Sequence, residues 1–389
     1  MNRLYCKLIL VLIVILVGGR LTAKAETVDI HGFISQGYLK TNQNNYLAET
    51  DTGSFQFNEM GINFTTFVSN DLKMGCQLFA RDLGDVGNDE IIINWAFAEY
   101  TFRNWLNLRA GILKAPFGFY NDLRDFDSLR TPIFLPSSVY DEWLRDGVDK
   151  IKGLELFGSF DLGMLGRLNY QIQNGISPVA LDSSTAKFIT QVGPQRLDTL
   201  SVIDPDATFD TRLTWRTPLY GLQIGGTYAR SGVYYEGAIS DMPITLHVKK
   251  VELYVLSAEY TYQNLKIIAE NYWNIAEVTA TLYAQGAALL PINRDTKEKK
   301  PYYISVEYQM TEWFAASFYH SESVGTDDTL GRVNQLKDRC LSVRFDINPN
   351  WIAKLEAHAM EGQYGVSPDN DGHTYNEWML YAAKLSYSF

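Results

Sequence analysis

Along most of the chain, apolar and polar residues alternate one by one. In LSVRFDI (341–347), Leu341, Val343, Phe345 and Ile347 fall on one face, and Ser342, Arg344 and Asp346 on the other. In WIAKLEAHA (351–359), Trp351, Ala353, Leu355, Ala357 and Ala359 oppose Lys354, Glu356 and His358. LNYQIQ, TFDTRLTWR and ISVEYQM repeat the design. So does the last stretch, YAAKLSYSF, whose Tyr381, Ala383, Leu385, Tyr387 and Phe389 share one face. Successive side chains of a strand point to opposite sides, so each stretch predicts a strand with one apolar and one charged face.

The connections sort into two kinds. Very short turns are expected at Ser69-Asn70-Asp71, Arg103-Asn104, Asp161-Leu162-Gly163, Pro218-Leu219-Tyr220, Gln263-Asn264, Thr311-Glu312 and Asn348-Pro349-Asn350. Between them lie long polar connections near 42–53, 83–90, 117–152, 174–207, 231–248, 278–299, 323–337 and 362–375. Seven short and eight long connections in strict alternation make sixteen strands, with both chain ends on the short-turn side. A soluble sandwich has no reason to sort its loops this way. A transmembrane antiparallel β-barrel has one, with short periplasmic turns and long external loops.

Two further signals agree. Trp105, Trp313, Trp351 and Tyr220 sit at or beside short turns, where amphipathic rings favour the boundary between lipid and water. The last strand must pair with the first, because an unpaired edge is not tolerated in lipid, and Phe389 is then expected at the same aromatic girdle. The apolar face points to lipid and the polar face to the lumen. On that parity Lys73, Arg81, Arg109, Arg167, Arg212, Arg216, Lys266, Arg344, Lys354 and Lys384 point inward. Glu99, Glu155, Asp161, Asp210, Glu259, Glu270, Glu307, Asp346 and Glu356 do too. Such a lumen is expected to hold water, with Arg109, Arg212, Arg216, Arg344, Lys354, Glu307, Asp346 and Glu356 as pore-lining positions.

The first 25 residues differ from the rest. Arg3 and Lys7 precede an uncharged apolar run from Leu8 to Gly19, and Ala23 and Ala25 stand just before Glu26. This is the order of a secretory signal peptide, with cleavage expected near Ala25 and residues 26–389 left as one barrel domain. Cys6 would leave with it. So would four basic residues and no acidic one, taking the formal charge from -11 to -15. An acidic chain without basic runs is a poor partner for nucleic acid. Cys76 falls on a lipid face and Cys340 on a lumen face, so no disulfide is expected between them.

The third long connection, residues 117–153, is rich in Tyr, Phe, Trp and Pro, unlike a disordered loop. It carries Arg124, Arg130 and Arg145 among Asp122, Asp125, Asp127, Asp141, Glu142 and Asp146. A stiff aromatic loop of this length is expected to fold back into the pore, where opposed charges would set a transverse field.

The opening VDIHGFISQGYL (28–39), the stretches RAGILKAPFGFYND (109–122) and RDFDSLRTPIFLPSSVY (124–140), and the Phe terminus resemble the Gram-negative outer-membrane porin superfamily. The likeness is strongest to its phosphate-selective-porin-like and uncharacterised porin-like group. It implies a sixteen-strand, homotrimeric diffusion channel in outer-membrane lipid, passing small hydrophilic solutes and ions. The implied constriction lies between Tyr120 and Arg145: Tyr120, Asp122, Arg124, Asp125, Asp127, Arg130, Asp141, Glu142 and Arg145. A near balance of inward acids and bases argues for weak selectivity, against the arginine ladder and lysine cluster of a phosphate channel. A selective anion channel, a barrel enzyme and an adhesin remain the alternatives. No Gly-x-Ser-x-Gly or His-Glu-x-x-His setting surrounds any of His31, His247, His320, His358 or His373, so no enzyme is expected. No cofactor is expected and no metal-ligand spacing is present; Asp369, Asn370 and Asp371 read as a solvated turn.

Overall fold

The computed structural model describes residues 27–389 apart from 88, 193–196, 285–286, 290, 297–299 and 327–332. The expected signal peptide and its Cys6 lie outside the described residues. Numbering only the strands of the barrel wall, β1 is Asp29–Thr41, β2 Asn58–Phe67, β3 Leu72–Leu83, β4 Ile92–Arg103 and β5 Leu106–Lys114. After the third loop follow β6 Lys150–Asp161, β7 Arg167–Ile176, β8 Ala207–Arg216, β9 Leu222–Ile239, β10 Met242–Tyr262 and β11 Leu265–Ala284. The wall closes with β12 Tyr302–Thr311, β13 Phe314–Thr326, β14 Val333–Asp346, β15 Trp351–Gly362 and β16 Glu377–Ser388. Each strand pairs antiparallel with its chain neighbours. β1 pairs with both β2 and β16, so the sixteen-strand sheet has no free edge.

The alternation dictates the two faces of this wall. Ile30, Ile34, Leu213, Leu341, Leu355 and Leu385 are exposed on its outer surface, the arrangement expected where the solvent is lipid. Phe389 donates its N–H to the carbonyl of Gly32 and accepts from the Gly32 N–H, at 3.0 and 3.1 Å. The ring of Phe389 lies against Gly32, where a Cβ would approach it to 2.6 Å. It stacks on Tyr387, which packs on Trp351. The terminal ring therefore seals the β1–β16 seam at the periplasmic girdle.

All seven short turns fall where the sequence puts them. One long connection does not exist as such. Residues 231–248, expected as a loop, are strand: β9 and β10 run to a two-residue turn at Ser240 and Asp241, both with positive φ. Residues 278–284 likewise continue β11. These three strands have 18, 21 and 20 residues, where about 9–11 cross a bilayer. Beyond the membrane both faces meet water, so the apolar-polar alternation that reveals a strand within lipid is not required.

The interior is not empty. Inward residues on the external half of β1 and β14–β16 (Leu39, Leu336, Met360, Trp378, Leu380 and Ala382) pack with Tyr46 and Leu47 of the first loop. Ile133 and Trp143 of the third loop complete this core. A second core joins Phe117, Phe119, Tyr120, Leu135, Val139 and Tyr140 of the third loop to Val255, Ile268 and Tyr303 of β10–β12. The third loop is thus packed against two neighbouring arcs of the barrel wall, β14–β1 and β10–β12.

Candidate functional site

A loop without long helices or strands leaves many backbone N–H and C=O groups in need of partners wherever water is excluded. The third loop, 115–149, has only short turns at Asn121–Leu123, Asp127–Leu129 and Arg145–Val148. The wall supplies what is missing, and it does so by charge. Inward carboxylates accept its N–H groups. Glu270 of β11 accepts from Phe119 N at 2.9 Å, and also from the hydroxyls of Tyr140, Ser257 and Tyr303. Glu307 of β12 accepts from Thr131 N (3.3 Å) and Oγ1 (2.8 Å). Glu356 of β15 accepts from Ile133 N (2.5 Å) and Phe134 N (3.3 Å).

Inward cations take the carbonyls. Lys354 Nζ donates to Asp127, Arg130 and Pro132 at 2.7, 2.9 and 3.2 Å. Arg344 reaches Ser128 O at 2.7 Å, and Arg212 reaches Gly118 O at 2.8 Å. Gly118 lies at φ +58 where the loop first bends inward, and a Cβ there would meet the Tyr140 hydroxyl at 2.3 Å.

The loop's own charges are paired as thoroughly. Glu142 bridges Arg81 (2.8 Å), Arg124 (2.6 Å) and Arg145 (3.4 Å). Asp125 joins Arg145, Lys114 and the amide of Asn94. Asp127 meets Lys384 (2.8 Å), Lys354 (3.7 Å) and the hydroxyl of Ser386. Asp122 takes Arg212 at 2.7 Å, the hydroxyl of Tyr120 donates to Glu259, and Arg130 donates to loop carbonyls. Burial opposes ionisation of these acids, but the facing cations overcome it. Lys114 and Arg145 hold Asp125 well below the ordinary carboxylate range, Arg124 and Arg145 hold Glu142, and Lys384 and Lys354 hold Asp127. Asp141 is the exception. It receives Tyr364 Oη (2.7 Å) and Trp143 N (2.8 Å) but makes no ion pair among the described residues, and burial pushes its pKa up to about 6.

The structure therefore brings together all nine loop residues singled out in the sequence, together with Arg212, Arg344, Lys354, Glu307 and Glu356 of the wall. Arg109 lies on the other side of the lumen between Glu99 (2.6 Å) and Glu155 (2.8 Å), with Phe97 and Phe157 on its two faces. Arg344 pairs with Asp346. Arg216 stands apart and exposed at the periplasmic end of β8, opposite Arg167 and Gln223. Sequence reasoning missed Glu59, Lys114, Asp149 and Trp143. Glu59 was legible, since Met60, Ile62 and Phe64 set the lipid parity of β2. Lys114 was not, because it is the last residue of β5 and turns inward with the loop. The charges on the inner wall do not simply line water, as the sequence suggests: many are bonded to the third loop. Asp369 caps its own turn through the N–H groups of Asp371 and His373.

Cavities lie on both sides of the loop. One of about 180 Å³, on the periplasmic side, is lined by Asp125–Ser128, Ser386 and Phe389. Another of about 140 Å³, on the external side, is bounded by Ser137–Val139, Tyr272 and Tyr364.

No protein-family model and no curated protein sequence matches this chain. Solved structures do. OmpT of Vibrio cholerae, outer-membrane expressed, superposes with a TM-score of 0.58 at 10% identity, covering 95% of this chain and 99% of that one; the same protein is also matched in a trimer form. OmpF of Salmonella typhi gives 0.58 at 13% identity over 93% and 97% of the two chains. An anion-selective porin of Comamonas acidovorans gives 0.55 at 12% identity over 93% and 99%. At these identities the likeness is one of architecture, and the architecture is that of the Gram-negative outer-membrane porins.

Proposed function

We propose that the protein is a porin of the outer membrane that lets small hydrophilic solutes and ions diffuse through a lumen narrowed by its third loop, and that it is not an enzyme. The observation that carries this reading is the loop itself. It is folded to mid-lumen and bonded to the wall from β2 round to β16, which serves permeation control and has no use in a closed structural cylinder. Because wall charges are engaged with the loop, the channel is expected to have low conductance and weak selectivity. A phosphate-type channel is less well supported, since Lys354, Lys384, Arg124 and Arg145 near the constriction all face acids or carbonyls of the loop. A homotrimer is part of the proposal, supported by the trimer form of one similar structure.

Single-channel recording of purified protein in a planar bilayer, with reversal potential under a salt gradient, tests it. Small ohmic steps and a reversal potential near zero are expected. A folded barrel that never conducts would overturn the channel reading, and a strong anion preference with block by phosphate would replace it with the selective one.

A further inference from the structure

One group of side chains is not explained by anchoring the loop alone. Cys340 of β14 and His358 of β15 are cross-strand partners, and Glu356 lies two residues from His358 on the same inward face. All three are buried, and one ligand atom from each falls within 4.8 Å of the others. His358 Nε2 is 3.7 Å from Cys340 Sγ and 3.1 Å from Glu356 Oε2. A zinc ion bonded at about 2.3 Å to sulfur and about 2.0 Å to nitrogen and oxygen sets tetrahedral edges of about 3.6 Å for S···N and about 3.3 Å for N···O. The two measured edges are close to those values.

We infer that Cys340, Glu356 and His358 form a binding site for a divalent zinc-like cation in the barrel wall beneath the third loop.

The surroundings fit a metal better than they fit a nucleophile. Asp338 holds the far ring nitrogen of His358 at 3.0 and 3.1 Å, and Tyr319 Oη donates to Asp338 at 2.7 Å. That carboxylate fixes the ring with Nε2 toward the thiol, as the outer partners of zinc-bound histidines do. Ser342 Oγ donates to Glu356 Oε1 at 2.7 Å and lies 3.2 Å from Cys340 Sγ. A Cys-His-Asp chain would also suit a nucleophile, but Cys340 is wholly buried, Glu356 stands on the same ring nitrogen, and Phe134 of the loop lies edge-on to the imidazole. A substrate needs space there; a cation does not.

Charge agrees: the carboxylates of Asp338 and Glu356 face the two ring nitrogens of His358, a negative setting that suits a divalent cation.

The test uses chain beginning at Glu26, so that Cys76 and Cys340 are the only thiols, refolded with one equivalent of Co²⁺ or Zn²⁺. One cobalt per chain is expected, with tetrahedral visible bands and a thiolate-to-cobalt band in the near ultraviolet. Cys340→Ser should abolish the thiolate band, Cys76→Ser should keep it, and Asp338→Asn should weaken affinity about 10–100-fold. Heat-modifiable gel mobility reports whether each variant has folded. If Cys340→Ser does not fold, zinc-edge X-ray absorption of the Cys76→Ser protein decides, with one sulfur neighbour expected. No stoichiometric cobalt, a thiolate band that survives Cys340→Ser, or a zinc shell without sulfur would overturn the site. None of these readouts depends on conductance, so the channel proposal stands or falls separately.

Discussion

Two sides of the same lumen carry the same residue types and use them differently. On the β14–β3 side Lys354, Lys384, Glu356, Arg124 and Arg145 are almost completely buried, and beside them lies an apolar core that includes Trp143 and Trp378. On the β4–β8 side the side chain of Arg109 keeps 26% of its surface exposed, and Lys266, further round on β11, keeps 24%. One side is packed like the interior of a globular protein; the other is mixed, with Arg109 partly wetted beside the buried Glu155. Charge in the first holds the loop in place, because each buried ion stripped of its partner costs several kcal/mol. Charge on the second side is partly screened where it is exposed, as at Arg109, and there it is free to act on passing ions. Inward-facing charges in a barrel are therefore not one class.

Replacing residues 121–144 by a short Gly-Ser link tests this division most severely. It removes the constriction and uncovers Leu39, Leu380 and Trp378, so conductance should rise several-fold while the thermal midpoint falls. Unchanged conductance in the folded variant would show that the narrowest point lies elsewhere. A milder break is Lys354→Ala, which strips one donor from three loop carbonyls and leaves Asp127 short of a cation. About 3–5 kcal/mol is expected, read from the urea midpoint or as faster hydrogen exchange at 127–134. The same change at Lys266, a quarter exposed and 3.6 Å from Glu307, should cost less than that.

Much of the fold was legible because lipid on one side and a polar lumen on the other force the period-two pattern. Residues 341–347, 351–359 and 381–389, in β14, β15 and β16, could be read one by one. The pattern failed at 231–248, where β9 and β10 leave the membrane and the constraint ends. The third loop could be recognised as an inserted segment from its aromatic and proline content. Its partners could not, since Glu356 and Ile133 are far apart in sequence and the inward parity of Glu356 says nothing about whether water or backbone meets it. The Cys340–His358 pairing was hidden for a similar reason: spacing along one strand is visible, register across two strands is not.

Acid sharpens the comparison with a definite sign. Asp125, Glu142 and Asp127 titrate below their unfolded range near 4, so the stability they give is complete above it and lost as the pH falls further. Asp141 runs the other way: raised to about 6, its contribution is complete below about 4 and lost as the pH rises through 6. The loop should be tightest near about pH 5 and should loosen below about 4, with noisier and larger current steps. Asp141→Asn should remove the change between pH 7 and 5 and leave the acid loosening intact. Current noise that does not vary between pH 7 and 3 would contradict the latch.

The smallest expected effect falls on the wetted side and separates the two uses of charge most cleanly. Arg109 is clamped by Glu99 and Glu155 and sandwiched by Phe97 and Phe157, yet a quarter of its side chain meets solvent. Arg109→Gln removes one positive charge from the wall and leaves Glu99, partly exposed, and Glu155, buried, without their cation. Because Glu99 is partly exposed and the buried Glu155 keeps the amides of Gln171 and Gln173, the barrel should lose less stability than it does at Lys384, and the third loop, which does not touch Arg109 in the described contacts, should keep its exchange protection. The reversal potential should move toward cation preference by a few millivolts, an effect that shrinks as salt rises and the Debye length falls below about 10 Å. Lys384→Gln, a change of equal charge on the packed side, should do the reverse: a large loss of stability, and a selectivity shift only if the loop detaches. If Arg109→Gln destabilises the barrel as strongly as Lys384→Gln, the wetted wall is packed like the other and ions must pass by a different route.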